Sequence, residues 1–241
     1  MTNTKKIILF NAPPGAGKDH AAQYIVKNYA GACLDKFARV LKERTHALYG
    51  FPERSWSYYE NCKDEPHNDF MGITPRQAYI NVSEKYFKPM HGEKVFGEIL
   101  ARELDKYEWN LLVISDSGFK PEAEVLIDKY GSNNITLVRI HREGHTFDGD
   151  SRSYIELPVE TIDMWNLGNI DFTIHLNDIV YGILNRDKLD IPRFIFPPSI
   201  EPFDIPVEQK ADYTTEGQDY IFEDIVKDRP WYKKLWARLV D

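Results

Sequence analysis

Lys6-Ile7-Ile8-Leu9-Phe10, followed within two residues by Ala12-Pro13-Pro14-Gly15-Ala16-Gly17-Lys18-Asp19, is the stretch that decides the fold. A short apolar, β-rich run that breaks into a Pro/Gly cluster has the shape of a buried strand entering a tight loop. Lys18 to Asn28 then reads as a helix. Strand, glycine loop, lysine and helix in that order make a phosphate-binding loop. Backbone N–H groups turn toward phosphate oxygens, a helix N-terminus lies behind them, and the lysine reaches the β- and γ-phosphates. Two positions depart from the general G-x-x-x-x-G-K-[ST] pattern: Ala12 stands for the first glycine, and Asp19 for the hydroxyl residue that usually touches magnesium. Alanine is small enough for the first place, and a carboxylate can bind magnesium directly or through water. The expected ATP-binding residues are Ala12, Pro13, Pro14, Gly15, Ala16, Gly17, Lys18, Asp19 and His20. The competing reading is an ordinary Gly/Pro turn before a Lys-Asp helix start.

Outward from this loop, strands and helices alternate. Ala32 to Phe37 fits a second strand and Ala38 to Leu48 a helix. Residues 50–73 are aromatic, polar and weakly periodic, which predicts an irregular insertion on the acceptor side. Thr74-Pro75 reads as an N-cap and first helical position opening a helix to about Phe87, and Glu93 to Lys106 gives another. Asn110-Leu111-Leu112-Val113-Ile114-Ser115-Asp116 is a continuous apolar run ending in an aspartate, as expected of a central parallel strand covered on both faces. A helix from Pro121 to Tyr130, a strand from Ile135 to Ile140, a polar loop from His141 to Pro158, a strand near Phe172 to Leu176 and a helix from Ile179 to Asn185 complete the pattern. The fold class expected is α/β, a P-loop kinase-like parallel sheet flanked by helices, over residues 1–186. Beyond Asp187, five prolines from Pro192 to Pro206 interrupt aromatic and aliphatic residues. They suggest a C-terminal extension over residues 187–241 that could dock on the body, form a homodimer or cover the active site.

The 241 residues carry a formal net charge of −8. That balance argues against a long nonspecific grip on a phosphodiester backbone, although a local basic cleft is compatible with it. Cys33 and Cys62 have neither CxxC nor zinc-site spacing, so reduced thiols are expected. The seven histidines show no metal spacing. The apolar run Ile7 to Phe10 is too short for a signal or a membrane span, and a cytoplasmic protein without membrane contact is expected.

Asp116 stands where open α/β sheets present ligand-contacting groups, at the carboxyl end of a strand. It could hold magnesium or its waters, orient an acceptor, or simply cap the next helix. Arg142 and Arg152 lie in the polar loop 141–158, whose glycines suit a mobile lid, and arginines brought in by a lid would stabilise a phosphoryl group in flight. Either could equally be a solvated charge. Asp35, Lys36, Phe37 and Arg39 follow the second strand, where an acceptor nucleotide would enter. Phe37 could stack on a base, and Arg76 could hold the acceptor phosphate. Core packing for Phe37 and helix-start charges for Asp35 and Lys36 are the alternatives.

Gly17-Lys18-Asp19 resembles the loop of the deoxynucleoside monophosphate kinases of tailed bacteriophages. Similar landmarks follow: Thr74-Pro75-Arg76-Gln77, Asp116 with Gly118-Phe119 and Glu122-Ala123, Arg139-Ile140-His141-Arg142-Glu143-Gly144, and Ser153-Tyr154-Ile155-Glu156-Leu157-Pro158. The likeness runs in order from Lys5 to Asn185, and neither the insertion nor the extension has a counterpart. It implies ATP and Mg2+ as cofactors, Lys18, Asp116, Arg142 and Arg152 as catalytic residues, Asp19 and Asp116 as metal ligands, a deoxynucleotide acceptor and an infected bacterial host. A rival keeps the ATP machinery but phosphorylates 5-hydroxymethyluracil within phage DNA, where a flipped base would need only a modest basic cleft. A noncatalytic nucleotide-binding module or GTP switch is the third reading. Asn166, Asn169 and Asp171 do not reproduce a guanine-reading Asn-Lys-x-Asp element.

Overall fold

A computed structural model describes residues 5–168 and 170–185. It is an α/β fold whose sheet has five strands, all parallel, in the order β2-β3-β1-β4-β5. The strands are β1 (Lys6–Asn11), β2 (Ala32–Asp35), β3 (Leu111–Ile114), β4 (Ile135–His141) and β5 (Glu160–Trp165). The helices are α1 (Lys18–Asn28), α2 (Phe37–Leu48), α3 (Pro75–Val82), α4 (Lys88–His91), α5 (Val95–Leu104), α6 (Lys120–Tyr130) and α7 (Ile170–Asn185). β1 lies between β3 and β4, and the three are buried along most of their length because helices cover both faces. Ile7, Leu9, Leu112, Ile114, Ile135 and Leu137 meet Val40 of α2, Leu100 and Leu104 of α5, and Leu126 of α6 in the main core. The phosphate-loop candidate and Asp116 thus share the carboxyl end of adjacent strands, where ligand crevices form in open sheets.

Several boundaries differ from the sequence reading. β2 stops at Asp35, and Phe37 is the first residue of α2 rather than the end of the strand. The strand expected near Phe172 to Leu176 is helical, continuous with the helix expected from Ile179. Phe172, Leu176, Val180 and Ile183 form its buried stripe, and this helical spacing outweighs the β-like local composition. The fifth strand is Glu160–Trp165, an edge strand exposed along most of its length and therefore too polar to stand out. Thr74 caps α3 as expected, its hydroxyl accepting from Gln77 N–H at 3.0 Å. The helix runs on to His91 through a π-helical turn at Ser83–Phe87. Residues 187–241 lie outside those described.

The insertion 50–73 has two short 3-10 turns and a core of its own. Phe51, Tyr59 and Phe70 pack with Ala78 and Tyr79 of α3. His46 of α2, fully buried, stacks among them, with Nδ1 3.2 Å from the Arg54 carbonyl and Nε2 3.0 Å from the Tyr79 hydroxyl. A carbonyl only accepts, so Nδ1 carries the proton and neutral Nε2 accepts from tyrosine. Burial favours that neutral ring and lowers its pKa. Arg54 ties the rim by pairing with Asp69 and donating to Tyr59.

Candidate functional site

Gly15 and Gly17 adopt φ of 74° and 102°, which side-chain-bearing residues rarely take, and Gly17 is the N-cap of α1. Both are also crowded: a β-carbon on Gly15 would lie 2.6 Å from His145, and one on Gly17 2.5 Å from Asn166. The loop's carbonyls are taken up from the neighbouring strands. Arg142, after β4, donates to Gly15 O at 2.9 Å, and Asn166, after β5, donates to Ala16 O at 2.9 Å. Ala12 and Pro13 are buried, Pro14 and His20 are exposed, and His20 lies 6.3 Å from the Phe172 ring. Lys18 Nζ rests 3.3 Å from Pro13 O. Burial pulls its pKa down, Asp19 opposes this, and Arg152 and Lys36 push further down. An anion between these cations would reverse that penalty.

Asp19, in the first turn of α1, accepts from Lys36 Nζ at 2.8 Å and Ser115 Oγ at 3.1 Å, both on Oδ1. Burial would raise its pKa, but Lys36, Lys18 and Ser115 hold it below the ordinary carboxylate value. Lys36 responds in the opposite sense: burial would lower it, and Asp19, with Asp116 and Glu60, keeps it above the usual lysine value. Lys36 therefore joins the cluster of Lys18 and Asp19 rather than the network of Asp35 and Arg39.

Asp116 does cap a helix, though not the one that follows it in sequence. Its two carboxylate oxygens accept from Phe37 N at 2.9 Å and Ala38 N at 2.8 Å, the first turn of α2. Burial raises its pKa and these N–H groups and Lys36 oppose the rise. Among the described residues no group of three or more His, Cys, Asp or Glu is arranged to hold a metal. Mg2+ commonly needs only one or two carboxylates, the rest coming from water and phosphate. Asp19 fits that role better than Asp116, because its second oxygen takes no hydrogen bond among the described residues.

The other acceptor candidates scatter. Phe37 is 2% exposed within the main core, so its ring does not face a base; packing decides its place. Arg39 forms a bidentate pair with Asp35, at 2.6 and 2.9 Å, and reaches Glu43 and Glu103, each at 2.9 Å. Both Asp35 and Arg39 are spent on this half-buried network rather than turned toward a ligand. Arg76 is exposed, 2.5 Å from Asp64, and within electrostatic reach of Asp150 and Arg152.

The loop 141–158 divides in two. Residues 142–149 are largely exposed, whereas Ile155, Leu157 and Val159 pack on the main core. Asn11, at the end of β1 and 1% exposed, fixes the division: its Nδ2 donates to Ser153 O at 3.1 Å and its Oδ1 accepts from Ile155 N at 3.0 Å. Arg152 is thereby rooted beside the phosphate loop. Its aliphatic stem lies where a Gly118 side chain would be, and Asp150 grips its guanidinium at 2.8 and 2.5 Å. That grip holds the Asp150 pKa down to about 2. Lys18, Asp116 and Arg152 line one small cleft with Phe10, Asn11, Ala12, Ser117 and Gly118.

The structure thus brings Lys18, Asp19, Lys36, Asp116 and Arg152 together and leaves Asp35, Phe37 and Arg39 out. Sequence reasoning passed over Asn11, Ser115, Ser117, His145 and Asn166. Their signal was only position at strand ends, which no motif records. Among the described residues no helix is long and apolar enough to cross a membrane. No family model matches the chain, and no curated protein matches it.

Proposed function

We propose that the chain is an ATP-dependent phosphotransferase acting on a deoxynucleotide, with a deoxynucleoside monophosphate as acceptor and the corresponding diphosphate and ADP as products. An acceptor phosphate oxygen attacks the γ-phosphorus while the bond to the bridging oxygen of ADP breaks, so no covalent enzyme intermediate is needed. The observation that carries this reading is a loop with two glycines at positive φ, at the carboxyl end of a parallel sheet, whose flanking Ala12 and Lys18 line one cleft with Arg152. The loop and the N-terminus of α1 would hold the β- and γ-phosphates, Lys18 would follow the moving group, and Arg152 would offset its spreading charge.

Lys36 tunes this cluster by holding Asp19 ionised. Asp19 would hold Mg2+ by its second carboxylate oxygen, and the ion would supply neutralisation of phosphate charge there. Asp116 serves by fixing α2, and with it Lys36, against the cleft. The cation-rich wall continues into the insertion, where Lys36 and Lys42 lie 5.5 and 5.2 Å from the Trp56 ring centroid. This supports an acceptor with both a phosphate and a flat base.

The test is transfer from γ-labelled ATP with magnesium, offered free deoxynucleoside monophosphates and DNA with and without 5-hydroxymethyluracil. Label in a free nucleotide is expected. Label in the modified DNA alone would move the acceptor to the polymer, and ATP binding without label anywhere would leave a noncatalytic module.

A further inference from the structure

Ser117 follows Asp116 at the carboxyl end of β3, and its N–H donates to Phe10 O at 3.1 Å. The residue is 1% exposed, and its Oγ has no hydrogen-bond partner among the described residues. A buried hydroxyl left unpaired is costly, so each one calls for a reason. Tyr130 Oη shares that condition but packs beside Trp109, away from the carboxyl ends of the strands.

Ser117 instead lines the narrow cleft of Lys18, Asp116 and Arg152. Two cationic residues and an unsatisfied hydroxyl border it, a set of donors that suits a phosphoryl oxygen. Gly118 contributes by omission, since Arg152 lies along its backbone and so reaches the wall that Ser117 occupies. The loop itself has no hydroxyl to offer, because Asp19 stands where such a residue usually follows the lysine.

Resting on the phosphotransferase reading, we propose that Ser117 is a phosphoryl-binding residue whose Oγ–H donates to a non-bridging oxygen of the group seated between Lys18 and Arg152. β3 thereby supplies the hydroxyl that the loop lacks. A hydrogen bond to a charged oxygen is worth more than one between neutral groups.

The full-length chain and its Ser117→Ala variant should be compared in melting temperature without ligand, in calorimetric affinity for sodium tripolyphosphate, and in transfer rate from ATP. A hydroxyl kept for a ligand predicts an unchanged or raised melting temperature, about tenfold weaker tripolyphosphate binding and a transfer rate lowered at least as much. A melting temperature that drops while affinity and rate stay as in the wild type would overturn the proposal, as would no change in any of the three. Should the alanine variant not fold, Ser117→Cys, a weak donor of similar size, gives the same readings. If the wild type transfers to no acceptor but Ser117→Ala still weakens tripolyphosphate binding tenfold, the kinase reading falls and the Ser117 site stands. If the wild type transfers and the variant keeps both affinity and rate, the reverse holds.

Discussion

Residues 11–19 keep their shape through the backbone: two glycines at positive φ, and carbonyls taken up by Arg142 and Asn166. Residues 50–73 keep theirs through side chains, with Phe51, Tyr59 and Phe70 closing on Tyr79 and His46 and only short 3-10 turns between. The first region presents polar backbone to a ligand and draws its rigidity from the sheet beneath it. The second must supply its own core before it can present anything. On the phosphotransferase reading, chemistry would fall to the first region and acceptor recognition to the second, and damage to one should spare the other.

The largest effect expected comes from breaking the first region alone. Lys18→Ala should lower phosphoryl transfer by about 10³-fold while leaving the urea midpoint close to that of the wild type, since Lys18 contributes little to packing. Normal turnover in that variant would sink the kinase reading. Breaking the second region tests the separation directly. Phe70→Ala removes a fully buried ring, with an expected cost of about 3–5 kcal/mol. By the comparison, ADP affinity should hold within about threefold while saturation by the acceptor is lost. If ADP affinity collapses too, the regions are one cooperative unit.

An effect spread over pH is expected at Glu122, a carboxyl stabilised by neither device. It is 5% exposed in the first turn of α6 and makes no hydrogen bond among the described residues. Burial, reinforced by Asp116, Glu93 and Glu84 and opposed by Lys88, raises its pKa to about 8. The folded protein then holds a proton that the unfolded chain releases. Stability should fall as pH rises from about 4.5, near the unfolded value, and level off above about 8. The drop across that window is on the order of 5 kcal/mol. Urea titrations at several pH values should show this slope in the wild type and a flatter line in Glu122→Gln. A slope unchanged by the substitution would place the proton elsewhere.

The loop was legible because glycine, lysine and strand occur there in a fixed order dictated by backbone geometry. β1 and β3 were legible because burial on both faces leaves a continuous apolar run, Ile7 to Phe10 and Leu111 to Ile114, and β4 because its β-branched and aliphatic residues are buried for most of its length. β5 was not, since an edge strand with an exposed face carries little apolar signal, and Phe172 to Leu176 misled because five residues cannot separate a period of 2 from one of 3.6. Asp116 was picked out by position, yet its capping of α2 depends on a contact 79 residues away in sequence. The insertion's composition announced aromatics but not that they would pack on one another and on α3.

Asn11 turns one strand into a shared axis. Because its amide grips Ser153 and Ile155, the chain carrying Arg152 is fastened to the strand that feeds the phosphate loop. The loop that follows β4 leaves with Arg142 and His145 against Gly15 and returns to Asn11 at Ser153, so both of its ends are moored to the first strand and the turn it feeds. Two arginines thus reach the same turn from opposite ends of a single loop.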